Sequence, residues 1–136
     1  MPRFGRKSRK NLETCDERLQ KVFNEVVRTY DCTVTCGYRG EEDQNKAFED
    51  GRSKVKYPKG KHNSNPSIAV DVYPYPINMK NLDRMIHFAG FVLGTAKSMG
   101  IDLTWGRDWY SNWFLDDTNK TTFKDYPHFE LKRISK

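Results

Sequence analysis

Four residues in this chain have the types and spacing to hold a metal ion and move a proton: His62, Asp71, Asp125 and His128. Two imidazoles and one carboxylate form a three-ligand set with an open fourth position, the arrangement of a catalytic zinc. Zn2+ held in this way lowers the pKa of bound water to about 7 and polarises a carbonyl. A base is still required. Asp125 precedes His128 by three residues, across Tyr126 and Pro127, and can reach the water without being a ligand. On spacing alone the convergence of these groups stays open. A single histidine is ordinarily a surface or core residue, which is how His87 reads inside its helical pattern. A strand aspartate ordinarily faces water. Two histidines and a carboxylate also suit non-haem iron, although those sites usually hold the first histidine and the acid much closer in sequence.

The elements that must position these groups come from periodicity. In IAVDVY, residues 68–73, Ile68, Val70 and Val72 take one face and Ala69, Asp71 and Tyr73 the other. In HFELKRI, 128–134, Phe129 and Leu131 oppose His128 and Glu130. Both strands thus turn a ligand-type side chain away from an apolar face, and in one sheet the two can meet. His62 lies in a loop, KHNSNPS, whose Asn63, Ser64, Asn65 and Pro66 suit a fold-back. Pro127 disfavours helix before it, so 125–127 reads as an extended approach to the last strand.

Elsewhere, Asn11 is expected to cap one helix with Leu12, Cys15, Leu19, Val22, Phe23, Val26, Val27 and Tyr30 on its inner face. CTVTCG, 32–37, reads as a strand, 41–50 as a short helix closed by Gly51, and 52–67 as loop. Asn78 or Asn81 opens a helix with Leu82, Met85, Ile86, Ala89, Leu93 and Ala96 along one face, and Gly100 stops it. Residues 101–105 read as a strand and 106–126 as irregular. Strands and helices mix without regular βαβ alternation, so the expected class is α+β: a small, largely antiparallel sheet packed against helices.

At 136 residues the chain suits one domain, 1–136, with residues 1–10 as a basic, flexible N-terminal arm. With 24 Lys and Arg against 18 Asp and Glu it is basic, which favours anionic partners such as nucleic acid, acidic lipid or cell wall. No apolar stretch follows MPRFGRKSRK, so no signal peptide is expected, and no run is apolar enough to span a membrane. Three cysteines and no secretion signal make free thiols the expectation. Cys32 and Cys36 read as a buried strand face around Val34, with half a metal site as the alternative. Trp105, Trp109 and Trp113, spaced by four, are either core or cleft wall, which leaves Trp105 a candidate substrate contact. Asp116 and Asp117 are a candidate cation loop, with a solvated loop as the plainer reading.

GYRG at 37–40 followed by Gln44, KHNSNPSIAVDVYPYP at 61–76, WGRDW at 105–109 and DYPHFEL at 125–131 occur in that order. Across roughly residues 10–133 the chain resembles zinc peptidases of the D-alanyl-D-alanine carboxypeptidase group, and especially phage endolysins that are L-alanyl-D-glutamate endopeptidases. The resemblance implies their small α+β zinc fold, the D-Ala-D-Ala peptidase or hedgehog-like fold, with the site on the sheet face. It implies His62, Asp71 and His128 as zinc ligands and Asp125 as general base. Arg39 would be the cation that holds substrate or stabilises the oxyanion, and Gln44 a further substrate contact. The substrate implied is the stem peptide of bacterial peptidoglycan. The enzyme would be a monomer made in the host cytoplasm and acting at the periplasm and wall, with no dedicated nucleic-acid partner. Three departures stand out: Gly60 occupies a position that is often Ser in the family, the interval from His62 to Asp71 is long, and the base position is Asp125, one methylene shorter than Glu. The nearest rival keeps the site and trims terminal D-alanine as a D,D-carboxypeptidase. A non-enzymatic rival is a basic nucleic-acid binder using the first ten residues with Lys54, Lys56, Lys59 and Lys61.

Overall fold

Alternation along four short strands creates a sheet with one apolar and one polar face. The computed structural model describes residues 2–109, 111, 113 and 124–132. In chain order the elements are α1 (Arg6–Glu13), α2 (Glu17–Val26), β1 (Cys32–Cys36), α3 (Glu41–Glu49), a 3-10 turn (Lys61–Asn63), β2 (Ala69–Pro74), α4 (Leu82–Ser98), β3 (Leu103–Trp105) and β4 (His128–Leu131). The strands form one sheet in the order β1-β2-β4-β3, with every pairing antiparallel. This is the α+β architecture expected from the pattern.

The apolar face is covered by α2 and α4. Val34, Val70, Val72, Phe129 and Leu131 meet Leu19, Phe23, Phe88 and Val92, all buried. Phe129 is the centre, with the rings of Phe23 and Phe88 edge-on at centroid distances of 5.5 and 6.3 Å. Asn81 caps α4 through its side chain, which accepts from Arg84 N. The buried stripe of α4 is Met85, Phe88, Ala89, Val92 and Ala96. It is turned from the expected one: Leu82 is exposed, and Ile86 and Leu93 pack only at the margin. Phe88 and Val92 take the centre because the larger ring must reach Phe129.

The expected single helix after Asn11 is two helices. Asp16 caps α2, accepting from Arg18 N at 2.9 Å. Between the helices, Ser67 N donates to Thr14 O and Asp16 N to Ser67 O, so tertiary bonds replace helical ones at the break. Asn11 is therefore not a cap. It sits inside α1, and its Nδ2 donates to Val34 O at 2.9 Å, while Val34 N donates to Ser8 Oγ at 3.1 Å. Those bonds close the free edge of β1, which would otherwise offer unpaired backbone to another chain. The residues expected as an arm are helical from Arg6, and Phe4 is buried in the core.

Candidate metal centre in the cleft

Asp71 faces away from the core because Val70 and Val72 on either side are fully buried. The register of the sheet then does what spacing could not: Asp71 pairs directly with His128 on β4 and with Cys36 on β1. The 3-10 turn brings His62 over the same face, held by Arg39 N donating to His62 O at 2.8 Å. His62 Nε2 and His128 Nδ1 lie 3.3 and 3.4 Å from Asp71 Oδ1. Yet Asp71 Oδ1 is buried and makes no hydrogen bond. Two ring nitrogens thus approach one buried carboxylate oxygen without hydrogen-bond geometry.

Each histidine is committed at its other nitrogen. His62 Nδ1 meets Gly37 O at 2.8 Å, where the imidazole must donate, and His128 Nε2 meets Glu130 Oε1 at 2.8 Å. These contacts leave His62 Nε2 and His128 Nδ1 as the inward-facing nitrogens, the usual outer support of a metal-ligating histidine. Donor atoms about 2.0–2.1 Å from a tetrahedral ion are separated by roughly 3.4 Å, which the His62–Asp71 and His128–Asp71 spacings match, each histidine taken with Asp71. Among the described residues, two groups of ligand-type side chains can hold a metal ion, Cys36–His62–Asp71 and Asp71–Asp125–His128, with ligand atoms within 4.8 Å of one another. They share Asp71.

Asp125 Oδ2 lies 3.8 Å from His128 Nδ1, beside the ligand set. Gly106 makes this possible: a Cβ there would collide with Asp125 O, and Gly106 exchanges backbone hydrogen bonds with Asp125 and His128. Burial, reinforced by the neighbouring Asp71 charge, raises the Asp125 carboxyl to about 6 against the pull of His128, His62 and Arg39. Burial opposes charging of His62, but Asp71, with help from Cys36, outweighs it and lifts the imidazole to about 10. In the same way, burial opposes a charged His128, while Asp71 and Glu130 raise it to about 9. Burial would raise Asp71, but the two histidines hold it well below the usual carboxylate range. Without a metal, protons on the histidines play the cation's part.

Arg39 Nη2 stands 3.6 Å from Asp71 Oδ2, at the edge of the same cluster. Gln44 is buried and its amide is fully occupied: Oε1 accepts from Arg39 Nη1 and Asn63 Nδ2, and Nε2 donates to Ser53 Oγ and Val55 O. In this arrangement Gln44, at the cleft wall, holds Arg39 and the His62 turn in place. Gly60 has a similar cause, since a Cβ there would sit 2.6 Å from Asn63 Oδ1. The Asn63 side chain, accepting from Gly60 N, fills the space a longer residue at 60 would take.

Trp105 is buried in the core, with Nε1 donating to Tyr126 O at 2.7 Å. It braces the segment between Asp125 and His128 and does not reach the cleft. Trp109 does, its ring 5.4 Å from that of His128, whereas Trp113 is exposed. Asp116 and Asp117 lie outside the described residues. His87 accepts its ordinary reading, meeting the Tyr30 hydroxyl at 2.8 Å.

Two further residues join the site. Glu130 was legible as sharing the His128 face, and its role follows from that alternation. Cys36 enters the sequence reading only as half of an alternative metal site with Cys32. A register irregularity between Val34 and Cys36 turns it out of the face it would share with Cys32, and its Sγ lies 3.5 Å from Arg39 Nη2 and 3.8 Å from His62 Nδ1. Burial pushes its thiol up, but His62 and Arg39 prevail and lower it. Cys32 stays in the core, raised to about 12 by burial. All three cysteines are free. The whole cluster opens into a cleft of about 820 Å³, which Tyr73, Ile77, Met79 and Trp109 also line.

Fold and site together define a small α+β protein that gathers metal-ligand side chains on the open face of an antiparallel sheet. Residues 1–132 match the model of the phage L-alanyl-D-glutamate peptidase family, and the chain belongs to that family. A relative, the L-alanyl-D-glutamate peptidase of Escherichia phage T5, is 30% identical over 135 residues, covering 95% of this chain and 97% of the relative. Among solved structures, the L-Ala D-Glu endopeptidase ChiX of Serratia marcescens superimposes with a TM-score of 0.73 at 24% identity. That match covers 96% of this chain and 91% of the other, and shows a shared fold.

Proposed function

We propose that the chain is a zinc-dependent endolysin that hydrolyses the L-alanyl-D-glutamate bond in the stem peptides of bacterial peptidoglycan. Family membership supports the bond. The observation that carries the metal is Asp71 Oδ1, buried and without a hydrogen bond, between two histidine nitrogens whose opposite nitrogens are already engaged. His62, Asp71 and His128 would hold the ion, an N2O set suited to zinc. Bound zinc supplies Lewis acidity, polarising a carbonyl and easing the ionisation of water.

The chain's own residues do the rest. Asp125 Oδ2 takes the proton of the attacking water and returns one to the leaving amine. Burial raises the pKa of its carboxyl, which favours its holding that proton for return. Arg39, braced by Gln44, places a positive charge beside the ligand set, where it stabilises the oxyanion or holds a substrate carboxylate. Trp109 packs on His128 and walls the cleft. Among the described residues no helix is long and apolar enough to cross a membrane. The enzyme would work as a monomer, made in the host cytoplasm and acting at the periplasm and wall.

Digestion of purified muropeptides, with fragments identified by mass spectrometry, tests this reading. Cleavage between L-alanine and D-glutamate is expected. Release of free D-alanine alone would instead mark a D,D-carboxypeptidase. Metal analysis of the purified protein should give about one zinc per chain, and stoichiometric iron with oxygen-dependent turnover would overturn the assignment.

A further inference from the structure

The charge of this protein is segregated. The chain has 24 cations and 18 anions, and Arg3, Arg6, Lys7, Arg9 and Lys10 are five of those cations, in a stretch without an acid. The remaining residues carry 19 cations and 18 anions, so nearly all the net charge sits in the first ten residues, which reach into the first turns of α1. All five side chains are exposed. None pairs with an acidic side chain among the described residues.

This placement works against the helix. Cations are unfavourable at a helix N-terminus, and the first turn of α1 has no acid. Within the helix the like charges of Arg6 and Lys10, four apart on one face, repel. The helix tolerates them because Phe4, Ser8 and Leu12 fasten it to the core and to the edge of β1. A polyanion lying along α1 would relieve both penalties.

We propose that α1 is a docking face for the carboxylate-bearing wall polymer itself, separate from the catalytic cleft. This rests on the peptidoglycan reading above. Glutamate has two carboxyls, and a chain that continues through one leaves the other free, so a polymer of such stems repeats negative charge. Asn11, near the end of α1, lines the cleft, so the cationic turns run up to its margin. A strand held along α1 is thereby offered to the site. A bilayer fits less well: interfacial helices insert an apolar face, and the apolar residues here, Phe4 and Leu12, are consumed by the protein's own core.

The test compares wild type with the triple variant Arg6→Gln, Lys7→Gln, Lys10→Gln on two substrates. One is insoluble peptidoglycan, the other a short soluble stem peptide with a single L-alanyl-D-glutamate bond. The variant should co-sediment with insoluble peptidoglycan about ten-fold more weakly at low salt, with a flatter salt dependence. Its turnover of the soluble peptide should be unchanged. Equal sedimentation of variant and wild type overturns the docking face. So does wild-type binding to anionic phospholipid vesicles or duplex DNA in preference to peptidoglycan. If the variant also loses soluble-peptide turnover, salt titration of the wild type decides, since sedimentation indifferent to salt overturns the proposal. Failure of the wild type to cleave the soluble peptide sinks the peptidase reading instead, and leaves the sedimentation result to be judged alone.

Discussion

The two faces of the sheet are built from the same strands and obey opposite rules. On the inner face, Val70, Val72 and Phe129 are fully buried and gain stability simply by leaving water. On the outer face, the interleaved Asp71, His128 and Glu130 bring charged groups close together in a partly buried cluster. Burying a charge costs free energy unless it is paired, so this face depends on a cation, either a metal or the protons on His62 and His128. The inner face makes the fold and the outer face draws on it. Substitutions one residue apart should therefore fail in different ways.

The largest effect expected is from His128→Ala. It should lose both bound metal and turnover, read by metal analysis and muropeptide digestion, while remaining folded because Phe129 still anchors β4. Asp125→Ala should keep its metal and lose turnover by about a hundred- to ten-thousand-fold, the range for a general base. If it releases the metal, Asp125 is a ligand and the division of roles proposed for the outer face is wrong. On the other face, Phe129→Ala should cost about 3–5 kcal/mol in denaturant unfolding. The folded fraction should still bind metal.

Acidity separates the faces further. In metal-free protein, His62 and His128 have pKa values raised to about 10 and about 9. The stability they confer is fully present below the ordinary histidine value of about 6.5 and is lost as pH rises through the raised values. Thermal melts of metal-free protein should fall across that window. Metal should bind more tightly as pH rises, because the histidines must give up protons to receive it. For catalysis the sign is opposite. Asp125 is a base only when ionised, so turnover should fall on the acid side, at a pH below the value of about 6 that holds without metal, because the bound cation favours the carboxylate. The smallest effect expected is from Trp105→Phe, which removes the hydrogen bond to Tyr126 O and should cost about 1 kcal/mol with little change in KM. A large rise in KM would return Trp105 to the cleft.

Much of this was legible because short-range periodicity is a local property. The alternation around Asp71 and His128 set which face each side chain takes, and Asn81 and Gly100 bounded α4. The misreadings share a cause. Leu12 to Tyr30 keeps helical spacing through a break that exists because Ser67, far along the chain, bonds to Thr14 and Asp16. Gln44, a substrate contact by resemblance, engages Arg39, Asn63, Ser53 and Val55 in this structure, neighbours that no local pattern announces.

The sequence alone determined the side-chain inventory of the site, the alternation that turns those groups off the core, and the concentration of charge in the first ten residues. Only the tertiary structure decided that Asp71 stands opposite His128, that Cys36 turns into the site, and that residues 3–10 form an ordered face rather than an arm. Alternation is set by the geometry of one strand. Register and docking depend on pairing energies summed over distant segments, and no local pattern reports them.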